Sequence, residues 1–136
     1  MARDWKRWFE GYAADWRAGK VEAVAARYAP LFLFAKPGKS VAYANDAKFV
    51  EWLDRVRGFH VDAGLERVEV VTFRESTLGV HHALVSVTWA VRFQRTAALR
   101  IQFDISYLLA LGEAPTIVSY VSHEDQRVTM QRYSLL

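Results

Sequence analysis

The hydrophobic period of this chain changes once, at Gly64, and that change restricts the fold more than any other feature. Before Gly64 apolar residues recur every three to four positions; after it they recur every second position almost to the C-terminus. Such a chain makes helices first and a sheet second. From Asp4 to Ala18 the residues Trp5, Trp8, Phe9, Tyr12 and Trp16 keep helical spacing with charges between them, and Gly19 supplies a stop. Val21, Val24, Ala25 and Tyr28 repeat the pattern in a shorter helix expected to end before Pro30. Leu31 to Ala35, the Pro37-Gly38 turn and Val41 to Tyr43 read as a short hairpin. Asn45 then offers an N-cap to a third helix, whose apolar face is Phe49, Trp52, Leu53, Val56 and either Phe59 or His60.

Beyond Gly64, Glu66 to Glu75 forms one strand. In the next, Ala83, Val85, Val87, Trp89, Val91 and Phe93 alternate with polar residues. Leu99, Ile101, Phe103, Ile105, Tyr107, Leu109 and Leu111 continue the odd-numbered pattern, and Ile117 to Glu124 gives a last strand after the turn at Gly112 to Pro115. The expectation is an α+β fold of one domain spanning residues 1–136. Three N-terminal helices pack on a strongly curved antiparallel sheet whose concave face encloses a pocket. At 136 residues, 52% of them apolar and 14% aromatic, the chain can bury a core of its own. Leu108, Ala110, Val118 and Tyr120 fall on the opposite face, where they would support a homodimer.

Several function classes drop out. Without cysteine there is no disulfide, thiolate metal site or thiol nucleophile. Met1 to Glu10 lacks the apolar block of a secretory signal, and runs such as Tyr28 to Ala35 fall short of the roughly 20 residues that cross a bilayer, so a cytoplasmic location without membrane contact is expected. The net charge of +3 is spread without blocks, and Arg92, Arg95 and Arg100 around one hairpin are too few for a nucleic-acid footprint. Gly38-Lys39-Ser40 lacks the Walker glycine, Leu33 standing in its place, and neither a G-x-S-x-G elbow nor a dinucleotide fingerprint is present. His60-Val61-Asp62 has the spacing of two iron ligands, but it sits at a helix end where a charged imidazole is favoured anyway. Neither metal nor cofactor is expected.

The aromatic residues are the most unusual content. Most serve the core, yet buried Tyr and Trp carry polar atoms that a water- or ligand-filled pocket would satisfy. Tyr12, Trp52, Trp89 and Tyr107 are the lining candidates from the residues themselves, joined by Tyr28 and Phe103 on inward positions. His123 shares the parity of Ile117 and Val121, which places it in the cavity as a general base or acid, or leaves it a satisfied histidine at a strand end.

The order of elements and the strings Tyr12-Ala13-Ala14-Asp15-Trp16-Arg17-Ala18-Gly19-Lys20-Val21-Glu22-Ala23-Val24, Tyr28-Ala29-Pro30, Ala47 to Leu53 and Ile117-Val118-Ser119-Tyr120 resemble the NTF2-like superfamily over nearly the whole chain. That group includes ketosteroid isomerases, SnoaL-type polyketide cyclases and scytalone dehydratase. The resemblance implies a cone-shaped, cystatin-like fold and leaves function open, since the superfamily holds enzymes and non-catalytic binding modules alike. It places Tyr12 where the isomerase branch carries an oxyanion tyrosine and Tyr107 near that branch's second donor. The branch's carboxylate base falls on Lys36, ahead of Pro37. The implied functions are a SnoaL-like protein binding an apolar cyclic ligand, with cofactor-free isomerisation, cyclisation or dehydration by Tyr12, Tyr107 and His123, or else a non-catalytic dimeric ligand-binding or accessory module.

Overall fold

The computed structural model describes residues 3–96, 100–133 and 135. Asp4 opens the first helix, α1 (Trp5–Arg17): its carboxylate accepts from the Arg7 N–H, one of the amides that a helix start leaves unpaired. Trp5, Phe9 and Ala13, spaced four apart, form its buried stripe. Gly19, at φ 77°, turns the chain into α2 (Val21–Ala25).

The second helix is shorter than its apolar spacing predicts. Tyr28 does not close it but opens β1 (Tyr28–Lys36), because the residues ahead of Pro30 are pushed towards extended backbone and the strand finds a partner in β2 (Lys39–Ala44). The third helix, α3 (Ala47–Asp62), is capped by Asp46, whose carboxylate accepts from the Phe49 N–H. Asn45, the expected cap, donates instead to the Ala25 and Tyr28 carbonyls and so ties α2 to the start of β1. Four further strands follow, β3 (Leu65–Leu78), β4 (His82–Phe93), β5 (Arg100–Leu111) and β6 (Pro115–Ser122). Leu99, expected to begin the third of the long strands, lies outside the described residues.

The strands make one six-stranded curved sheet in the order β2-β1-β6-β5-β4-β3. Its pairs are antiparallel except β1 with β6, which run parallel, so the expected all-antiparallel sheet is mixed at one junction. The helices also depart from three in a row. The β1–β2 hairpin separates α2 from α3, and a fourth helix, α4 (Gln126–Arg132), closes the chain, capped by Asp125.

Inward parity on β4 and β5 follows the alternation: Ala83 through Phe93 and Ile101 through Leu109, at odd positions, are all buried. On β6 it does not. Tyr107 pairs with Tyr120 and Leu108 with Ser119, but Leu109 pairs with Ile117, which leaves Val118 as an extra residue. Beyond this bulge the faces are exchanged, so Tyr120 and Ser122 point inward while Val121 and His123 point outward. No helix of the described residues is long and apolar enough to cross a membrane.

Candidate ligand site

The helices and the concave face of the sheet enclose a cavity of about 830 Å³. Its polar centre is a group of tyrosines brought from four elements. Tyr12 stands on α1, Tyr28 on β1, Tyr107 on β5 and Tyr120 on β6, with the Tyr12 and Tyr107 rings 6.3 Å apart and those of Tyr107 and Tyr120 5.5 Å apart. Phe9, one turn below Tyr12 on α1, packs its ring 4.7 Å from that of Tyr107 and supports the group from beneath. Burial raises all four phenols above their ordinary range, Tyr12 to about 12 despite its bond to Tyr28 and the nearby Arg27 charge, and the neighbouring phenols add to the effect at the other three. All four therefore keep their protons at neutral pH.

The protons do not all have acceptors in the protein. The Trp89 indole N–H donates to the Tyr107 oxygen at 3.0 Å, and the Gln126 amide donates to the Tyr120 oxygen at 2.7 Å. Each of these two phenols thus accepts one bond, and neither proton meets an acceptor among the described residues. Tyr12 and Tyr28 share a single bond of 2.7 Å, which uses one of their two protons. Three O–H donors accordingly face a cavity whose remaining wall is mostly apolar. Their natural complement is an oxygen acceptor on an otherwise apolar molecule.

Among the residues expected to line the pocket, Tyr12, Tyr28, Trp52, Trp89, Phe103 and Tyr107 all border this cavity. His123 does not. The Val118 bulge turns it to the outer face, where its Nε2 lies 2.7 Å from Ser106 Oγ, itself 2.8 Å from Ser86 Oγ, and a shared site with Tyr12 and Tyr107 is excluded. Tyr120 moves the opposite way: expected on the outer face, it stacks on Phe34 inside the cone at 5.0 Å. Three arginines read as one cluster are also split, Arg95 bordering the cavity while Arg92 and Arg100 face each other across β4 and β5 on the outer side.

Lys36, in the place of the isomerase carboxylate, pairs with Asp125 at 3.1 Å on the cavity rim. The bond to Lys36, with the two α4 amides that Asp125 caps, holds the Asp125 carboxyl below its usual range. No carboxylate hydrogen-bonds the tyrosines among the described residues. The group can therefore hold and polarise an oxygen, but it contains no proton acceptor of its own.

At the far side of the cavity stands His60, one turn beyond Val56 on the buried side of α3. The Trp16 indole donates to its Nδ1 at 3.2 Å, which removes that nitrogen from metal binding. Instead of the charged imidazole favoured at a helix end, burial and the Arg57 charge lower this histidine to about 4. Of Phe59 and His60, which helical spacing alone does not separate, Phe59 is 55% exposed and His60 is the more buried.

No curated protein matches the chain. Solved structures do. A domain of unknown function with a cystatin-like fold from Nostoc punctiforme PCC 73102 aligns over 96% of this chain and 83% of its own at 15% identity, with a TM-score of 0.67. A hypothetical protein with a ketosteroid isomerase-like fold from Catenulispora acidiphila DSM 44928, in complex with trimethylamine, aligns over 92% and 90% at 16% identity and a TM-score of 0.57. A candidate polyketide cyclase from Xanthomonas campestris pv. campestris aligns over 92% and 93% at 10% identity and a TM-score of 0.57. At such identities the likeness is one of fold. A family model described as NTF2-like protein (DUF6841) matches residues 3–125, and the chain belongs to that NTF2-like family.

Proposed function

We propose that this protein binds a small, apolar, cyclic molecule through an acceptor oxygen, which Tyr107 and Tyr12 hold with Tyr28 and Tyr120 beside them. The observation that carries the reading is the set of phenolic protons without protein acceptors, opening onto a largely apolar cavity. A cationic ligand of the trimethylamine kind fits less well, because the tyrosine group offers it phenolic protons and no carboxylate. Titration with 4-acetylbiphenyl, followed by tryptophan fluorescence, tests this. Tyr107→Phe is expected to weaken binding about fivefold, the worth of one hydrogen bond, while leaving the hydrocarbon biphenyl unaffected. Equal affinity of wild type and variant for the ketone would remove Tyr107 from ligand binding.

A second reading, cofactor-free isomerisation, cyclisation or dehydration of such a ligand, is favoured by the same donors, since phenols that hold a carbonyl oxygen also stabilise an enolate. It requires a proton acceptor that the tyrosine group lacks, and for that reason binding without turnover is the reading adopted.

We also propose that the protein forms a homodimer through the outer face of the sheet. Leu108, Ala110 and Val118 remain there, and Leu33, Leu84 and Val121, each more than a third exposed, join them. Sedimentation at high micromolar concentration should show the dimer, and Leu108→Lys should convert it to monomer. A wild-type monomer under those conditions would refute the interface.

A further inference from the structure

Resting on the binding reading above, we infer that the cavity holds a hydrogen-bond donor apart from the tyrosine group, the Nε2–H of His60, and that its ligand carries an acceptor oxygen at each end of an elongated apolar body. The tautomer follows from geometry. Trp16 Nε1–H is a donor only, so the Nδ1 it reaches at 3.2 Å must be the unprotonated nitrogen, and a neutral imidazole then carries its proton on Nε2. The ring sits edge to face with that same Trp16 at 5.5 Å and is held on one further side, perpendicular to Phe93 at 5.7 Å. Nothing among the described residues accepts from Nε2, although His60 borders the cavity. It is a donor set up in the same way as the tyrosines, with one nitrogen committed to an indole and the other left for something else.

The separation of the two polar ends defines the ligand. Trp89, which donates to Tyr107, and Phe93, whose ring lies 5.7 Å from that of His60, are four residues apart on β4, roughly 13 Å along the strand. The tyrosine group and His60 thus stand at the two ends of a span of roughly 13 Å, with Val56, Val68 and Val91 among the apolar residues that border the cavity. A single ring bearing one oxygen reaches one end. A linear two-ring molecule with an oxygen at each end reaches both, and the free donors at the two ends, the phenol O–H groups and the His60 N–H, call for an acceptor oxygen at each.

The test compares 4-acetylbiphenyl with 4,4′-diacetylbiphenyl. Wild type is expected to bind the diketone about fivefold more tightly than the monoketone. His60→Leu should abolish that preference by weakening the diketone alone, while His60→Gln, whose amide can both accept from Trp16 and donate inward, should restore most of it. Nitrogen-15 NMR of the ligand-free protein at pH 7 should show Nδ1 unprotonated and Nε2 protonated, and the reverse assignment would overturn the inference without reference to any ligand. Equal affinity of wild type for both ketones, or equal weakening of both by His60→Leu, would overturn it while the tyrosine site stood. Binding of neither ketone by wild type would overturn the binding reading and the inference with it.

Discussion

Phe9→Ala is expected to destabilise the fold by about 3–5 kcal/mol, the range for deleting a buried aromatic ring. Phe9 is 1% exposed and sits where the helix layer meets the sheet, its ring within 6.4 Å of those of Trp5, Trp8, Tyr12, Trp89 and Tyr107. These neighbours are large and tied to different elements, so they cannot collapse into the vacated space. The remaining cavity would lie directly beneath Tyr12 and Tyr107. Urea denaturation should show the loss as a lower midpoint at unchanged slope, and a fall of less than about 1 kcal/mol would contradict this packing. Because domains of this size are stable by only about 5–15 kcal/mol, the variant stands close to unfolding.

Stability is expected to fall on mild acidification through His60, by at most about 3 kcal/mol. The folded state holds this histidine at about 4, against 6.5 for the exposed group. Above pH 6.5 the imidazole is neutral in both states and the contribution is fully present. As the pH falls from 6.5 to about 4 the unfolded chain takes up a proton that the folded chain refuses, so stability declines throughout that window and the loss is complete below it. His60→Gln cannot titrate and leaves the Trp16 indole an acceptor. Denaturation midpoints at pH 7 and pH 4.5 should therefore converge in the variant relative to wild type, and parallel pH profiles would show that His60 titrates normally.

The alternation on β4 and β5 carried its information openly: every second residue from Ala83 to Phe93 and from Ile101 to Leu109 is buried, and Trp89 and Tyr107 lie where that spacing puts them. On β6 the alternation breaks at one residue. A bulge at Val118 leaves no mark in Ile117-Val118-Ser119-Tyr120, which contains no glycine and reads as an unbroken strand, yet it reverses every later position. Tyr120 therefore entered the site unannounced and His123 left it. The start of β1 was hidden for another reason. Tyr28 fits the apolar spacing of α2, and only the backbone preference ahead of Pro30, together with Asn45 bonding the Ala25 and Tyr28 carbonyls, decides for the strand. The role of Gln126 depended on α4, whose seven residues have too little apolar periodicity to announce a helix. His60 was within reach, since it lies seven residues after Leu53, but the helix alone could not choose between it and Phe59.

In the proposed binding mode a tyrosine O–H in the cone donates a hydrogen bond to an oxygen of the ligand. The carbonyl stretch of bound 4-acetylbiphenyl in the infrared reads that bond directly. The stretch is expected at lower frequency than in an apolar solvent, reporting a carbonyl that accepts from O–H donors, with Tyr107→Phe returning it part of the way. A bound ketone whose stretch matches the apolar solvent, in wild type and variant alike, would contradict it.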